Sequence, residues 1–393
     1  MKVAFIAACP FVDDRGTPLR IYGLARAIAG QGVEVHAVAY HLGRDPPKDS
    51  GILLHRIWNN PYKKTGPGPS WFKPILDILA LWKTIRVVKK NDIKVIVGSH
   101  FEGGFIGFAA ARLLGRKVIF DAHASLADEL VAFKFLKRKG LRYRFFLKLE
   151  KFLVGHADAI AVDSGLLGSH FQSLGALPER ITVVPTGISE EDFSLPPEEV
   201  KSIRDTLCGK KTMALYTGTL APYQGLDILL ESFAEVQKRN KDLHLVIVGG
   251  TLPEIESYKS LTGKLGVEGI TFAGKVPFTE IPKYLLAADI LVAPRLEDEG
   301  TALQRATKIL SYMAAGKPII ATRIEAHTCT LDEETAFLVK PNDKGELSRA
   351  LAAVTGNLEK SEEKGRKAMK KVFEDYSWTS IGKTLREIIA RFT

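Results

Sequence analysis

Glycines at the ends of apolar runs are the first residues in this sequence whose types and spacing suit a chemical task. Gly218 closes the run from Met213, and Gly225 precedes an amphipathic stretch from Leu226. Gly249 and Gly250 close Leu243–Val248, Gly274 closes Ile270–Ala273, and Gly316 comes just before the run Pro318–Ala321. A bare backbone at a strand end admits close approach by an anion, and the following helix adds unpaired N–H groups and the positive end of its dipole. A diphosphate suits such a place. The segment 295–308 adds the cations Arg295, Arg305 and Lys308, while Gly300 and Thr301 offer backbone N–H groups to a phosphate or sugar. Lys308 or Arg295 is the expected neutraliser; Arg305 also reads as a solvated loop charge. His123 ends the apolar run through Phe120, where α/β sheets present ligand-binding side chains. A lone histidine is more often structural, and both readings stay open. Val276, beside Lys275 and Pro277, follows the run Ile270–Ala273, where a core packing role is open to it.

Other chemistries find no footing. No pair of carboxylates on one strand edge suggests a glycosidase. There is no Gly-x-Ser-x-Gly elbow and no Gly-x-x-x-x-Gly-Lys-Ser/Thr loop. Metal-ligand spacing is absent, so no metal and no cofactor is expected. The three cysteines, Cys9, Cys208 and Cys329, are too scattered for a zinc site or a disulfide framework, which fits a reduced compartment. A net charge of +10 admits anionic partners of several kinds. Nucleic acid is not among those expected, for lack of any recognition motif.

The elements that must position these residues are legible as alternation. Val3–Ala8, Val33–Tyr40, Val95–Gly98, Val118–Phe120, Ala159–Val162 and Thr182–Val184 read as strands, with a helix over Leu19–Gly30. Val- and Ile-rich runs without polar alternation indicate strands covered on both faces, joined by crossover helices into a parallel sheet. The first run reads as a buried strand and not as a leader, because Asp13, Asp14 and Arg15 follow it. After the acidic, Pro-containing stretch from Ser189 the pattern restarts at Met213–Gly218 and continues through Leu243–Gly249, Ile270–Ala273, Ile290–Ala293 and Pro318–Ala321. Two Rossmann-like doubly wound α/β domains follow, over 1–190 and 200–374, facing across a cleft. The segment 375–393, carrying the last helix, is expected to cross back onto the first domain. No run reaches the roughly 18–20 apolar residues of a membrane span.

The segment from Tyr216 to Thr322 resembles the donor half of GT-B glycosyltransferases of the family 4 kind. The resemblance rests on Tyr216-Thr217-Gly218, on Tyr223-Gln224-Gly225-Leu226, on Val248-Gly249-Gly250, on Ala273-Gly274-Lys275-Val276-Pro277 and on Lys308-Ile309-Leu310-Ser311-Tyr312-Met313-Ala314-Ala315-Gly316. Weaker likeness at Leu24–Val35, at Phe120–His123 and at Val183–Gly187 extends it over most of the chain. It implies a retaining, metal-independent transferase using a nucleoside diphosphate sugar. It also implies donor contacts at Gly218, Thr219, Gln224, Gly249, Val276, Arg295, Gly300, Thr301 and Ser311, and His123 beside the reacting sugar. Where such enzymes often carry paired glycines in the first domain, this chain keeps Gly16. Three departures stand out. The family's usual arginine and lysine are Thr219 and Gln224 here, and the second of its two glutamates is Ser311. For the first glutamate Glu297 and Glu299 both qualify, and Glu299 is taken as catalytic with His123 and Lys308.

Residues 134–151 hold eight Lys or Arg against one Glu, interleaved with Phe, Leu and Tyr, and the loop from Asn59 to Lys73, with Trp58 beside it, adds more aromatic and basic residues. Such a segment suits an anionic membrane surface, and equally a helix with a solvated basic face. The expected activity is transfer of a sugar to a hydroxyl of a glycan or lipid-linked glycan, by a cytoplasmic protein peripheral on the inner face of the membrane. A catalytically silent sugar-nucleotide-binding subunit and a sugar-nucleotide 2-epimerase are the alternatives.

Overall fold

A computed structural model describes residues 1–13, 16–63, 70, 72–132, 135–138, 140–298 and 305–393. The chain divides into two compact units, Met1–Gly187 with Trp378–Thr393, and Ile188–Ser377.

Unit 1 is built on strands β1 (Lys2–Ala7), β2 (Glu34–Ala39), β3 (Ile52–Arg56), β4 (Val95–Ser99), β5 (Lys117–Ala122), β6 (Ala159–Val162) and β7 (Ile181–Val183). They form one sheet in the order β3-β2-β1-β4-β5-β6-β7, with every pairing parallel. Val3, Phe5, Val35, Val95, Val97 and Ile119 on one side, and Ala4, Ile6, Ile96, Val118 and Phe120 on the other, feed two apolar cores. The second of these cores takes helices Lys73–Lys90, His100–Leu114 and Leu141–His156; the first takes Gly16–Gly30 and Trp378–Ala390. The reversal from β1 through β4 puts a switch point at the carboxyl ends of these strands, where ligand-binding loops gather in such sheets.

The last helix is fixed by shape. A Cβ on Gly23 or on Gly187 would lie 2.2 or 2.4 Å from the Trp378 indole, so both positions must be bare for that ring to fit. Gly382 also packs tightly, its missing Cβ falling 2.8 Å from the Ala27 carbonyl oxygen.

Unit 2 carries β8 (Thr212–Thr217), β9 (Leu243–Val248), β10 (Ile270–Gly274), β11 (Ile290–Ala293), β12 (Ile319–Thr322) and β13 (Phe337–Val339), in the order β10-β9-β8-β11-β12-β13. Again all are parallel, with the switch point between β8 and β11. No helix among the described residues is long and apolar enough to cross a membrane.

The elements differ from the sequence reading in detail. Strands β3 and β13 were not anticipated: both lie at sheet edges, and β3 carries the polar pair His55 and Arg56 and is only partly buried. The first helix starts at Gly16, three positions before Leu19. The stretch from Pro197 to Leu207 is a helix, because prolines are tolerated at a helix start and Glu198 and Glu199 favour its first turn.

Candidate functional site

In unit 2 the carboxyl ends of β8 and β9 press together. Gly218 leaves β8 at φ +138° and Gly249 leaves β9 at φ +123°, values that glycine alone adopts freely. A Cβ on Gly249 would lie 1.9 Å from the Gly218 carbonyl oxygen, and one on Gly218 would lie 2.8 Å from Lys308 Nζ. Neither strand end can carry a side chain, and an ammonium sits directly beside the first.

Lys308 opens the helix Lys308–Ala314, which is latched to β8 by Tyr312, whose hydroxyl accepts from the Thr217 N–H at 2.8 Å. Its Nζ lies 4.1 Å from the Tyr216 ring centroid and donates to Gln224 Oε1 at 2.8 Å. The Tyr216 hydroxyl donates in turn to the Thr219 carbonyl at 2.6 Å, fixing that loop while the Thr219 side chain stays exposed. Ser311 is half-buried one turn beyond Lys308, on the same side of the helix. Gln224 is buried, and Gly225 turns at φ +73° into the helix Leu226–Gln237 where a Cβ would strike the Pro294 carbonyl.

Arg295 follows β11, is 5% exposed, and places its guanidinium 5.4 Å from the Tyr223 ring. The Thr322 hydroxyl donates to the Arg295 carbonyl, and His327 Nδ1 donates to the Thr322 carbonyl at 2.9 Å. Burial, with Arg295 and Lys308 adding to it, pushes His327 down to about 3, so the ring is neutral. Its Nε2 has no hydrogen-bond partner among the described residues. Burial and Arg295 likewise push Lys308 down to about 7. Two cations, a neutral amide and two bare strand ends thus form a locally positive cradle whose chemistry favours a multiply charged anion.

Unit 1 holds a second polar cluster at its own strand ends. His123, just after β5, bonds Asp121 through Nε2 at 2.8 Å, and Nδ1 has no partner among the described residues. Burial pushes the Asp121 carboxyl up, but Arg20 and His123 outweigh it and hold it below the usual range. Burial lowers His123 despite Asp121. A neutral ring donating from Nε2 to an ionised carboxylate keeps Nδ1 as an acceptor. Arg20 ties this corner together, donating to Asp121, Asp163, Thr186 and the Val184 carbonyl.

Beside it, His100 stands at φ +60° after β4 with its ring 5.7 Å from that of His123. Its two nitrogens bond Glu102 at 2.7 Å and Glu129 at 2.9 Å, and Lys73 donates to Glu102 at 2.6 Å. Burial lowers His100, but Glu129 and Glu102 outweigh it and hold it well above its ordinary value. This network went unnoticed in the sequence, since no periodicity joins positions 73, 100, 102 and 129.

Of the residues singled out from sequence, Gly218, Thr219, Gln224, Gly249, Arg295, Lys308 and Ser311 gather around the ends of β8, β9 and β11. The Val276 side chain packs against the apolar core of unit 2. Gly16 opens the first helix with nothing within 4 Å of a would-be Cβ, so local space does not demand glycine there. Glu299, Gly300 and Thr301 lie outside the described residues, as do Arg15, Trp71, Lys134 and Lys139.

Comparison with known proteins covers both units. Residues 211–357 match the family described as Glycosyl transferases group 1, and residues 15–187 match the Glycosyl transferase 4-like domain. An uncharacterized glycosyltransferase of Methanocaldococcus jannaschii is 23% identical over 328 residues, covering 82% of this chain and 81% of its own length. The GDP-mannose-dependent alpha-(1-6)-phosphatidylinositol monomannoside mannosyltransferase of Mycolicibacterium smegmatis is 24% identical over 314 residues, 78% of each chain. Among solved structures, Anabaena HepE in complex with UDP superposes with a TM-score of 0.79 at 16% identity, over the whole of both chains. Sucrose-phosphate synthase of Thermosynechococcus elongatus gives 0.79 at 18% identity, over 99% of this chain and 98% of that one.

Proposed function

This chain belongs to the family-4-like GT-B glycosyltransferases, and we propose that it moves a hexosyl group from a nucleoside diphosphate sugar to a hydroxyl of a glycan or lipid-linked acceptor, with retention and without a metal. The observation that carries the reading is the place of Lys308. Its ammonium stands beside bare Gly218 and bonded to Gln224, where a donor diphosphate approaching the strand end would meet it. The cation lost at position 224 is thereby replaced from a different helix. Arg295 supplies the second charge, and the N–H groups at the start of Leu226–Gln237 the remaining donors. A relative named for GDP-mannose and a neighbour holding UDP support a nucleotide-linked donor. That relative is also named for a phosphatidylinositol mannoside, which supports the lipid-linked class of acceptor.

In this mechanism the anomeric carbon–phosphate oxygen bond breaks as Lys308 and Arg295 take up the charge developing on the leaving diphosphate. The acceptor oxygen bonds the anomeric carbon on the same face, and its proton passes to a leaving-phosphate oxygen. Within unit 1, the free His123 Nδ1 is read as accepting a hydrogen bond from a hydroxyl of the acceptor. The basic stretch within 134–151 meets the anionic surface that bears the acceptor.

A panel of nucleoside diphosphate sugars, with lipid and glycan acceptors and with or without a chelator, tests this. The expected result is thermal stabilisation by one donor class, chelator-insensitive release of its nucleoside diphosphate, and a product of unchanged anomeric configuration by NMR. Stabilisation without release under any acceptor would mean a silent binding subunit, and no stabilisation by any donor would remove the donor site.

A further inference from the structure

Three helices of unit 1 lie on one side of its sheet, Lys73–Lys90, His100–Leu114 and Leu141–His156, each a crossover between parallel strands. Their inner sides supply Leu76, Ala80, Val87, Phe101, Ile106, Leu153 and Val154 to the core. An ordinary surface helix would then be polar on its outer side. These are not. On the first, Phe72 is 58%, Ile75 55%, Ile78 66% and Trp82 37% exposed, and Trp58, itself 59% exposed, packs on Trp82 at 4.5 Å. On the third, Leu141 is 85%, Phe145 56% and Phe152 43% exposed, and Leu113 of the middle helix is 68% exposed.

Cations are interleaved with these rows. Arg86 stacks 3.6 Å over Trp82, and Lys89, Lys90, Arg142, Arg144, Lys148 and Lys151 are exposed. Carboxylates are withdrawn. Asp77 is bonded by Tyr40, Glu102 by Lys73 and His100, and Glu150 is fully buried against Ser125. The three helices contain no other acidic residue.

We propose that this three-helix face is a docking surface for an anionic lipid bilayer, centred on the apolar row of helix Lys73–Lys90 and not confined to the basic stretch within 134–151. A second copy of the chain would bring two cationic faces together. A bilayer interface instead takes apolar side chains and cations at the same depth. Phe72, Ile75, Ile78, Leu141 and Phe145 lie at the starts and in the first two turns of the outer helices, the ends nearer the strand ends that carry His100 and His123, whereas Leu113 and Phe152 lie at the far ends. An acceptor headgroup in the docked bilayer would therefore be held next to that edge. The inference rests on the reading of the acceptor as lipid-linked.

Co-sedimentation of the full chain tests it, using phosphatidylcholine vesicles with and without phosphatidylglycerol at about a third of the lipid. Binding is expected to the anionic vesicles and not to the neutral ones. The double variant Ile75→Asp/Ile78→Asp should bind them about tenfold or more weakly, with an unchanged circular dichroism spectrum and melting midpoint. Arg144→Gln/Lys148→Gln should weaken binding further and flatten its salt dependence. Failure of the unaltered chain to bind anionic vesicles, or full binding by Ile75→Asp/Ile78→Asp, overturns the proposal. Donor-induced stabilisation, measured on the same samples, reports separately on the donor site, so loss of one reading does not conceal the other.

Discussion

An ammonium whose hydrogen bond goes to a neutral amide has no carboxylate in that bond to hold its proton, and Lys308 donates to Gln224. Burial and Arg295 push it down to about 7. A diphosphate binds the protonated form, so donor affinity should fall as pH rises through about 7, and binding above it should take up a proton. Stability runs the other way. The unfolded chain keeps an ordinary lysine pKa near 10.4, so between about 7 and 10 it binds more protons than the folded chain, and this group adds stability as pH rises. Lys308→Met removes both effects. It should weaken donor binding about 10–100-fold, the worth of a charge-assisted hydrogen bond or two, while the melting midpoint holds or rises. Calorimetric titration with a nucleoside diphosphate at two pH values and a thermal melt read both. A lower midpoint with unchanged affinity would make Lys308 merely structural.

At the scale of elements, the alternation of Val- and Ile-rich runs with glycine-closed turns was enough to lay out both parallel sheets, because buried strands need that composition whatever they do. The edge strands β3 and β13 were not legible; β3, half-exposed and ending in His55 and Arg56, lacks the Val- and Ile-rich composition of a strand buried on both faces. Long-range polar ties were not legible either. Arg20 sits in a helix where a charge reads as solvated, yet it is 3% exposed and its partners lie 101 to 166 positions away. The candidate site shows the same limit. Gln224 and Lys308 are each notable in sequence, Gln224 through a family resemblance, but that one bonds the other across 84 positions is information only the fold contains. The Arg20 tie has a measurable weight. Arg20→Met keeps the volume and leaves Asp121 and Asp163 buried without their cation. It should cost about 3–5 kcal/mol in urea unfolding followed at unit 1. A loss below about 1 kcal/mol, the range of exposed pairs, would mean that the carboxylates find other partners.

For the molecule as a whole, the telling segment is Trp378–Thr393, last in sequence and part of unit 1. Ile381, Leu385, Ile388 and Ile389 are almost fully buried against the first helix and the sheet. At about 1.5–3 kcal/mol each their burial is worth some 6–12 kcal/mol, comparable to the whole stability of a typical domain, about 5–15 kcal/mol. A chain ending at Ser377 should therefore lose the cooperative transition of unit 1 while unit 2 still melts separately, as differential scanning calorimetry would resolve. Two intact transitions would contradict the anchoring role given to Trp378. The same arrangement has a consequence for the order of events at the ribosome. All of unit 2 is synthesised before the strip that closes unit 1, so the later-made unit is free to fold first. On the side this strip covers, the earlier-made sheet meanwhile waits with the first helix but without its neighbour, until the helix Trp378–Ala390 emerges and Trp378 drops between Gly23 and Gly187.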